Sequence, residues 1–284
     1  MAERPIDLHT HSSVSDGTET PTQLVRAAVA AGLGTMAITD HDSTAGWQEA
    51  FDAAAGTGLT IVPGMELSTN YGPASVHMLA YLFDPQNANL VSETARIRDG
   101  RLHRAERIVE RIAADYDITW DDVLAQSTGG ASLGRPHIAD ALVMRGHVAN
   151  RSAAFESILH WRGGYYEKYY APTPIEGVRM VVEAGGVAVL AHPATHGRYR
   201  PMDDAVITQL VDAGLFGLEV HHRDNTDDGK RWLLEVAKKF GLAVTGSSDY
   251  HGAGKPNRLA ENTTTRAVLD RLVEAGTGSQ PVVG

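Results

Sequence analysis

The sequence predicts an α/β fold in which seven largely parallel strands close into a β/α barrel. Three observations support this fold class. Short apolar segments alternate with helical segments along most of the chain, which is typical of a parallel sheet wound right-handedly. The length of 284 residues is sufficient for one barrel domain. Histidines and acidic residues follow the predicted strands at their ends, where barrels of this type place their active sites.

The composition indicates the class of protein and its cellular setting. Hydrophobic residues make up 43% and charged residues 21% of the chain, as in soluble globular proteins with a substantial core. No run approaches the roughly 18 apolar residues of a membrane span, and the first residues lack the apolar segment of a secretory signal. We therefore expect a cytoplasmic protein without a membrane partner, whose oligomeric state is open.

The charge and the residue usage limit the possible ligands. A net charge of −10 makes the chain a poor general binder of long duplex nucleic acid, because such binding depends on Lys and Arg neutralising phosphates. The chain contains no cysteine, so nitrogen and oxygen atoms must hold any metal ion. Thirteen histidines are the unusual feature of the composition, and their positions carry the functional argument.

The first third of the chain alternates strands and helices. A short apolar strand ends at the motif His9-Thr10-His11. The next helix begins at Thr20, with a proline at the first helical position and Gln23 at the capping-box position. The predicted elements that follow are the strand 36–40, the helix 44–55 and the strands 59–63 and 76–83.

A helical insertion interrupts this alternation, because residues 85–164 contain no strand pattern. The predicted helices are a long, arginine-rich one over 87–116 and short ones near 120–126, 136–146 and 152–161. The predicted organisation is one discontinuous barrel domain, residues 1–97 and 166–284, with an inserted helical cap subdomain at 98–165. The arginines between residues 96 and 111 have helical spacing, and we expect them to form a solvated, salt-bridged face.

Alternation resumes in the last third of the chain. A second capping box, Thr173 with Glu176, begins a helix that ends at Gly185-Gly186. The remaining predicted strands are 187–191, 217–220 and 242–245, and the remaining helices are 203–213, 226–240 and 265–275. A loose tail rich in glycine and serine is expected after the last helix.

Nine residues with metal-binding side chains lie at one rim of the proposed barrel. They are His9, His11, Asp16, His41, Glu66, His77, His192, Asp249 and His251. His9 and His11 share one face of a strand, because side chains alternate between faces. His77 begins its strand and reaches the same rim if that strand is antiparallel to its neighbour. Six imidazoles and three carboxylates suit two or three ions if a carboxylate bridges, and this donor mixture favours Mn, Zn or Fe over Mg or Ca.

The nine residues lie in short motifs spread over nearly the whole chain. The motifs are His9-Thr10-His11 with Asp16-Gly17, Ile38-Thr39-Asp40-His41-Asp42, Pro63-Gly64-Met65-Glu66, His77, Ala191-His192-Pro193 and Gly246-Ser247-Ser248-Asp249-Tyr250-His251. In this order they resemble the motifs of the PHP (polymerase and histidinol phosphatase) family. The resemblance implies a distorted seven-stranded barrel with a trinuclear metal site. It assigns His9, His11, Glu66 and Asp249 to the first ion, Glu66, His77 and His192 to the second, and Asp16, His41 and His251 to the third. It also implies catalytic roles for Glu66, His192 and Asp249.

Within the family, the insertion resembles that of one subgroup. Gly134–Ala139 and Tyr165–Lys168 are similar to segments of stand-alone PHP phosphoesterases that act on nucleoside 3′,5′-bisphosphates and on the 5′ ends of short RNAs. The resemblance implies that the insertion caps the site and that Arg135 contacts a substrate phosphate, a role that suits the planar guanidinium. Further candidate substrate contacts are Lys168, Arg198 and His222.

The expected function is that of a metal-dependent phosphoric ester hydrolase. A metal-bound hydroxide would attack the phosphorus in line. The favoured substrates are the 3′-phosphate of nucleoside 3′,5′-bisphosphates and 5′-phosphorylated short oligonucleotides. The alternatives are, in order, a histidinol-phosphate-type phosphatase, an amidohydrolase and a non-catalytic metal-binding module. Amidohydrolases often use a carboxylated lysine as a bridge, and none of the five lysines falls at a predicted strand end. The acid that protonates the leaving group is unassigned.

Overall fold

A computed structural model describes residues 4–72, 74–127, 132–195 and 202–284. The strands are β1 (Ile6–Asp7), β2 (Thr35–Ile38), β3 (Thr60–Tyr71), β4 (Ala74–Tyr81), β5 (Val187–Leu190), β6 (Leu215–His221), β7 (Ala243–Gly246) and β8 (Val282–Val283). The helices are α1 (Pro21–Ala30), α2 (Trp47–Ala54), α3 (Ala88–Ile112), α4 (Trp120–Leu124), α5 (Arg135–Met144), α6 (Arg151–Glu156), α7 (Pro174–Glu183), α8 (Asp204–Asp212), α9 (Asp227–Phe240) and α10 (Arg266–Ala275).

Seven strands form a nearly closed barrel in the order β1 to β7. The strands β1, β2 and β3 are parallel, and so are β5, β6 and β7, whereas β4 is antiparallel to both of its neighbours. An isolated parallel bridge between Thr10 and Tyr250 joins the chain beyond β1 to the chain beyond β7. The predicted distorted seven-stranded barrel is confirmed. The reversed β4 places His77 opposite Ser68, at the end of the barrel that carries the other predicted ligands.

Two predictions about the strands are wrong. The third strand does not end before Glu66 but continues to Tyr71, because β4 pairs with it along the whole extension. The end of the chain is not a loose tail, since Val282 and Val283 form β8, which pairs antiparallel with the amino end of β3. Glycines and a serine lie near these two β-branched residues, so the sequence did not indicate a strand here. The strand β8 pairs with the edge of β3 at Thr60 and Ile61.

Both predicted capping boxes form. The Oγ1 of Thr20 accepts a hydrogen bond from the Gln23 N–H at 3.2 Å, and the Gln23 Oε1 accepts one from the Thr20 N–H at 2.8 Å. Thr173 and Glu176 make the same reciprocal pair at the start of α7. A side-chain cap contributes about 1 kcal/mol to stability, so residues that can form one are preferred at helix starts. Their presence in the sequence therefore located both helix starts.

The strands bury apolar side chains on both of their faces. One face contributes a cluster that includes Ile6, Leu8, Val62, Leu79 and Val189. Residues that alternate with these contribute to a second cluster, which packs against the surrounding helices. Burying one such aliphatic side chain contributes about 1.5–3 kcal/mol. A filled interior leaves the rim of the barrel as the place for a polar site.

The insertion, residues 98–165, contributes an apolar cluster of its own. It includes Ile108, Ile138, Leu142 and Leu159. The helix α3 links the two parts, because its Ile97 packs into the barrel cluster and its Ile108 into the cluster of the insertion. The predicted boundary between residues 97 and 98 falls inside this helix, and the division into barrel and cap stays a prediction. No described helix is both long enough and apolar enough to cross a membrane.

The prediction of a solvated arginine face on α3 is wrong for two of its members. Arg101 and Arg104 are each only 5% exposed. Arg107 follows the prediction and pairs with Glu167 near the surface at 2.6 Å. Arg101 and Arg104 share a helix face with the buried Ile97, as their spacing requires. Helical spacing shows that arginines recur along α3. It does not show which side of the helix packs against the barrel and is buried.

Candidate metal centre

The chain beyond β1 carries two histidines to the rim of the barrel. His9 and His11 are buried, and their Nε2 atoms lie 3.0 Å apart. Both Nε2 atoms face Glu66 Oε2, at 3.3 and 3.2 Å. They also face Asp249 Oδ1, at 3.5 and 3.4 Å. Two imidazoles and two carboxylates thus converge on one point, in a set that could hold one ion.

Glu66 faces two groups of imidazoles, one with each carboxylate oxygen. Its Oε1 lies 2.8 Å from His77 Nδ1 and 3.2 Å from His192 Nε2. Its Oε2 lies 3.2 Å from both His11 Nε2 and His41 Nδ1. A carboxylate whose oxygens face different sets of ligands is arranged to bridge two ions.

Asp16 organises a further group of ligands. Its Oδ1 lies 3.1 Å from His251 Nε2 and 3.6 Å from His11 Nδ1, and its Oδ2 lies 3.7 Å from His41 Nε2. All four residues are buried, with one ligand atom of each within 4.8 Å of the others. The nine side chains singled out in the sequence therefore come together in overlapping groups at one rim.

Several buried atoms of these groups lie close to an opposite group but form no well-aligned hydrogen bond with any described residue. They include His41 Nδ1, Asp249 Oδ1 and His251 Nε2. A buried polar atom left without a partner costs about 1–3 kcal/mol. Imidazole nitrogens and carboxylate oxygens are ligands of divalent transition metals. The residues present therefore fit metal ions as cofactors.

The carboxylates of the centre are ionised. Burial alone would raise the pKa of Glu66, but His41 and His77 outweigh it and hold that pKa well below its usual range. Burial of Asp16 is likewise outweighed by His251 and His41, so its pKa is also well below the usual range. Both side chains are therefore anionic near neutral pH and suited to binding cations.

The imidazoles differ in protonation. Burial lowers the pKa of His251 to about 4 and also lowers the pKa values of His41 and His192. A lowered pKa favours the form of the ring that offers a lone pair to a metal ion. Burial also acts against protonation of His11, but the neighbouring carboxylates, Asp249 first among them, raise its pKa to about 9. Metal binding would compete with that proton and release it.

Glu219 on β6 orients two of the predicted ligands and was not identified from the sequence. Its Oε1 lies 3.0 Å from His9 Nδ1, and its Oε2 accepts a hydrogen bond from the His192 backbone N–H at 2.8 Å. Burial would raise the pKa of Glu219, but His9 and His222 lower it to about 2. The ionised carboxylate fixes His9 with Nε2 towards the centre. A glutamate inside an apolar strand was the available sequence signal.

Lys255 also reaches the centre, from the loop after β7. Its Nζ donates a hydrogen bond to Asp249 Oδ2 at 2.7 Å, which leaves Oδ1 facing His9 and His11. No lysine falls at a predicted strand end, but Lys255 follows the short 3₁₀ turn Gly252–Gly254 and reaches the centre from there. Lys255 donates to Asp249 as an ammonium group.

A cavity of about 950 Å³ borders these ligands. Its lining includes His77, His192 and Lys255 from the barrel and Phe155 from α6. The insertion therefore forms one wall of the cavity and the rim of the barrel forms another. The volume lies in the range of small-molecule sites.

The four candidate substrate contacts differ in position. Arg135 begins α5, is half-buried, and lies with its Cζ 5.3 Å from the centre of the Phe155 ring, which lines the cavity. His222 is fully buried against the metal centre. Lys168 is exposed and is not one of the described residues that line the cavity. Arg198 falls outside the described residues.

Arg104 is a buried cation that sequence reasoning missed. Its Cζ lies 4.3 Å from the centre of the Tyr169 ring, and its Nε has no hydrogen-bond partner in the described part of the chain. Burial, together with the nearby charges of Arg101 and Arg135, lowers its pKa to about 9. A buried guanidinium beside two others favours the binding of an anion.

Comparison with known proteins places the chain among relatives of similar length. The pattern of the PHP domain matches residues 7–154. A 3′,5′-nucleoside bisphosphate phosphatase of Chromobacterium violaceum is 34% identical over 260 residues, which are 91% of this chain and 91% of that protein. A 5′-3′ exoribonuclease of Haemophilus influenzae is 32% identical over 249 residues, which are 86% of this chain and 89% of that protein.

A solved structure agrees with this placement. The crystal structure of a protein from Bifidobacterium adolescentis, whose name proposes a metal-dependent phosphoesterase, superimposes with a TM-score of 0.93. The two chains are 43% identical, and the match covers 97% of this chain and 98% of the other. Fold, buried donor set and relatives agree. The chain belongs to the PHP family and is a metal-dependent phosphoesterase.

Proposed function

We propose that this enzyme removes the 3′-phosphate of nucleoside 3′,5′-bisphosphates or hydrolyses 5′-phosphorylated short oligonucleotides. The observation that carries the proposal is the two-sided position of Glu66, each of whose oxygens faces a different set of imidazoles. Such a carboxylate can hold adjacent ions over which a phosphoryl group is clamped. The substrate class is supported by the Chromobacterium relative, which is named for bisphosphate hydrolysis.

Two or three ions of Mn, Zn or Fe would occupy the centre. The proposed ligands are His9, His11, Glu66 and Asp249 for the first, Glu66, His77 and His192 for the second, and Asp16, His41 and His251 for the third. When bound, the ions would supply an activated water and neutralise charge on the phosphoryl oxygens. Glu66, His192 and Asp249 are the proposed catalytic residues.

Other residues of the chain keep this centre in shape. Glu219 holds His9 through its Nδ1, and Lys255 holds Asp249 through its Oδ2, so both ligands present their remaining atoms to the ions. Ligands that are fixed in advance lose little freedom when an ion or a substrate binds. Phe155 of the insertion covers one side of the cavity and would limit the access of water.

The insertion supplies positive charge for a second, unreacted phosphate. Arg135 is close enough to Arg104 for its charge to lower the pKa of Arg104. A guanidinium binds phosphate oxygens in a bidentate manner. The rings of Phe155 and Tyr166 lie 5.3 and 5.4 Å from the Arg135 Cζ and offer surfaces for a base. Further proposed contacts are Lys168, Arg198 and His222.

The test is an assay of metal-reconstituted protein on four substrates. They are adenosine 3′,5′-bisphosphate, a 5′-phosphorylated dinucleotide, histidinol phosphate and a cyclic amide of the dihydroorotase type. We expect kcat/KM for the bisphosphate to exceed that for histidinol phosphate by at least about 10-fold, since one lost charged contact costs about 1.5–3 kcal/mol. Turnover of the amide alone, or of none of the phosphate substrates, would overturn the proposal.

A further inference from the structure

The proposed metal ligands are supported from two different parts of the chain. Within the barrel, Glu219 orients His9 and Lys255 orients Asp249. The loops that carry the ligands of the third proposed ion are instead bonded to arginines of the insertion. Those ligands are Asp16, His41 and His251.

Arg151, the first residue of α6, joins the insertion to the Asp16 loop. Its Nε and Nη2 each donate to one carboxylate oxygen of Asp140 at 2.5 Å, and its Nη1 donates to the backbone carbonyl of Asp16 at 2.7 Å. The side chain of Arg151 is 12% exposed. A bidentate pair fixes the plane of a guanidinium, so Asp140 aims the remaining nitrogen at the Asp16 loop.

The loop that carries His251 packs against the same guanidinium. A Cβ atom at Gly254 would collide with Arg151 Nη1, which shows how closely this loop approaches the arginine. The His251 carbonyl in turn accepts a hydrogen bond from the Thr18 N–H at 3.1 Å. One arginine of the insertion therefore contacts both loops and fixes the distance between two ligands.

Arg101 of α3 makes a comparable connection to the loop of His41. Its Nη1 donates to Asp42 Oδ2 at 3.1 Å and to Ser68 Oγ at 3.0 Å. Asp42 directly follows His41 and has a φ of 52°, a left-handed conformation that costs a non-glycine residue about 1–3 kcal/mol. The Ser68 N–H donates to Asp42 Oδ1 at 2.7 Å, so the strained residue is held from β3 and from the insertion together.

We propose that the insertion governs one metal position selectively. Arg151 and Arg101 are positioning residues that set the affinity of the position formed by Asp16, His41 and His251, whereas the barrel alone sets the affinity of the others. The inference rests on the multi-ion centre of the proposed function. A chain in which these arginines are replaced keeps the ligands of the first and second ions in place. It loses the third ion before the others.

The experiment compares Arg151→Gln with Arg145→Gln in the full chain. Arg145 is a matched control, because its salt bridges to Asp117 and Asp122 stay within the insertion. Metal content by elemental analysis and stepwise affinities by calorimetry are measured after removal and return of Mn or Zn. We expect Arg151→Gln to weaken one binding step by about 10–100-fold and Arg145→Gln to leave every step unchanged. Circular dichroism checks that both variants fold.

Equal weakening of all steps in Arg151→Gln, or of none, overturns the inference, as does a parent protein that binds fewer than three ions. If Arg151→Gln does not fold, Asp140→Asn decides, since it loosens the arginine and keeps the side-chain volume. Failure of the proposed function looks different. A parent protein that binds three ions but hydrolyses no phosphate ester contradicts the function and leaves the selective loss of one ion intact.

Discussion

At the scale of single residues, the centre depends most on Glu66. It is 1% exposed, and its pKa is held well below its usual range although burial acts in the opposite direction. An anion in such a position is stable because imidazoles surround it and because cations can join it. Asp16 and Asp249 also have imidazole nitrogens near both of their oxygens, at 3.1–3.7 Å. The contacts of Glu66 on its two oxygens are shorter, at 2.8–3.3 Å. Its charge matters as much as its shape.

Replacing Glu66 by Gln keeps the volume and removes the charge. We expect kcat to fall by at least about 100-fold and the metal content to decrease, because a neutral amide binds ions weakly and cannot bridge two of them. Phosphate release and elemental analysis measure the two effects. Turnover close to that of the parent protein would contradict the bridging role.

Replacing Arg104 by Met tests the second phosphate site. We expect KM for adenosine 3′,5′-bisphosphate to rise by about 10–100-fold, which corresponds to the loss of one charge-assisted contact. Arg107→Met is the control, since Arg107 lies one turn further along α3 and pairs with Glu167 near the surface. Equal changes in KM for both variants would argue against a specific role for Arg104.

The sequence could indicate the nine rim residues because each follows or begins a predicted strand whose apolar pattern is visible, although Glu66 and His77 lie inside β3 and β4. The residues that support them were not visible in the same way. Glu219 lies inside a strand, Lys255 acts through a loop, and Arg104 belongs to a helix face that looked solvated. Each is recognised only when distant parts of the chain are brought together.

At the scale of elements, the insertion is held together by its own caps and ion pairs. Asp122 accepts hydrogen bonds from the N–H and the Oγ1 of Thr119, at 2.8 and 2.7 Å, and so begins α4. The same carboxylate pairs with Arg145 at the end of α5, at 2.7 Å. Two short helices are thereby joined through one side chain. Sequence patterns located these helices, but the pairing between them depends on the packing of the insertion.

The contacts of Asp122 with Thr119 and Arg145 lead to a prediction about the pH dependence of stability. The hydrogen bond from Arg145 and the cap at Thr119 lower the pKa of Asp122 from 3.8 to about 2. Because the folded pKa lies below the unfolded one, Asp122 contributes stability that is present above about pH 4 and is lost as the pH falls towards 2. The difference in melting temperature between the parent protein and Asp122→Asn should therefore shrink over this range. A difference that is independent of pH would contradict the assignment.

At the scale of the whole molecule, stability and metal content should be linked. Four buried carboxylates, including Glu219, converge on one rim and repel one another unless cations or protonated imidazoles lie between them. Ions that bind only the folded chain stabilise it by mass action. The apolar clusters of barrel and insertion hold the fold together, and the centre adds a contribution that depends on the ions.

Removal of metal should lower the melting temperature. An ion present at 100 times its dissociation constant contributes about 2.7 kcal/mol, and in chains somewhat smaller than this one 1 kcal/mol corresponds to about 2–4 °C. We expect a chelator to reduce the melting temperature by about 5–10 °C, as followed by circular dichroism. Glu66→Gln should show a smaller reduction. If the chelator leaves the melting temperature of the parent protein unchanged, metal binding does not contribute to its stability and the prediction is wrong.

The pairing of β8 with β3 also determines where a solid support or a fused protein can be joined to the molecule. The Gly284 N–H donates to the Leu59 carbonyl at 3.0 Å, and Arg4 Nη1 donates to the Gly58 carbonyl at 3.0 Å. Both ends of the described chain therefore meet at the amino end of β3, whereas Glu66 and the cavity lie further towards the other end of that strand. A solid support or a fused protein joined at Gly284 would stand behind the barrel. The entrance to the cavity would stay open, and the immobilised enzyme should keep the KM that it has in free solution.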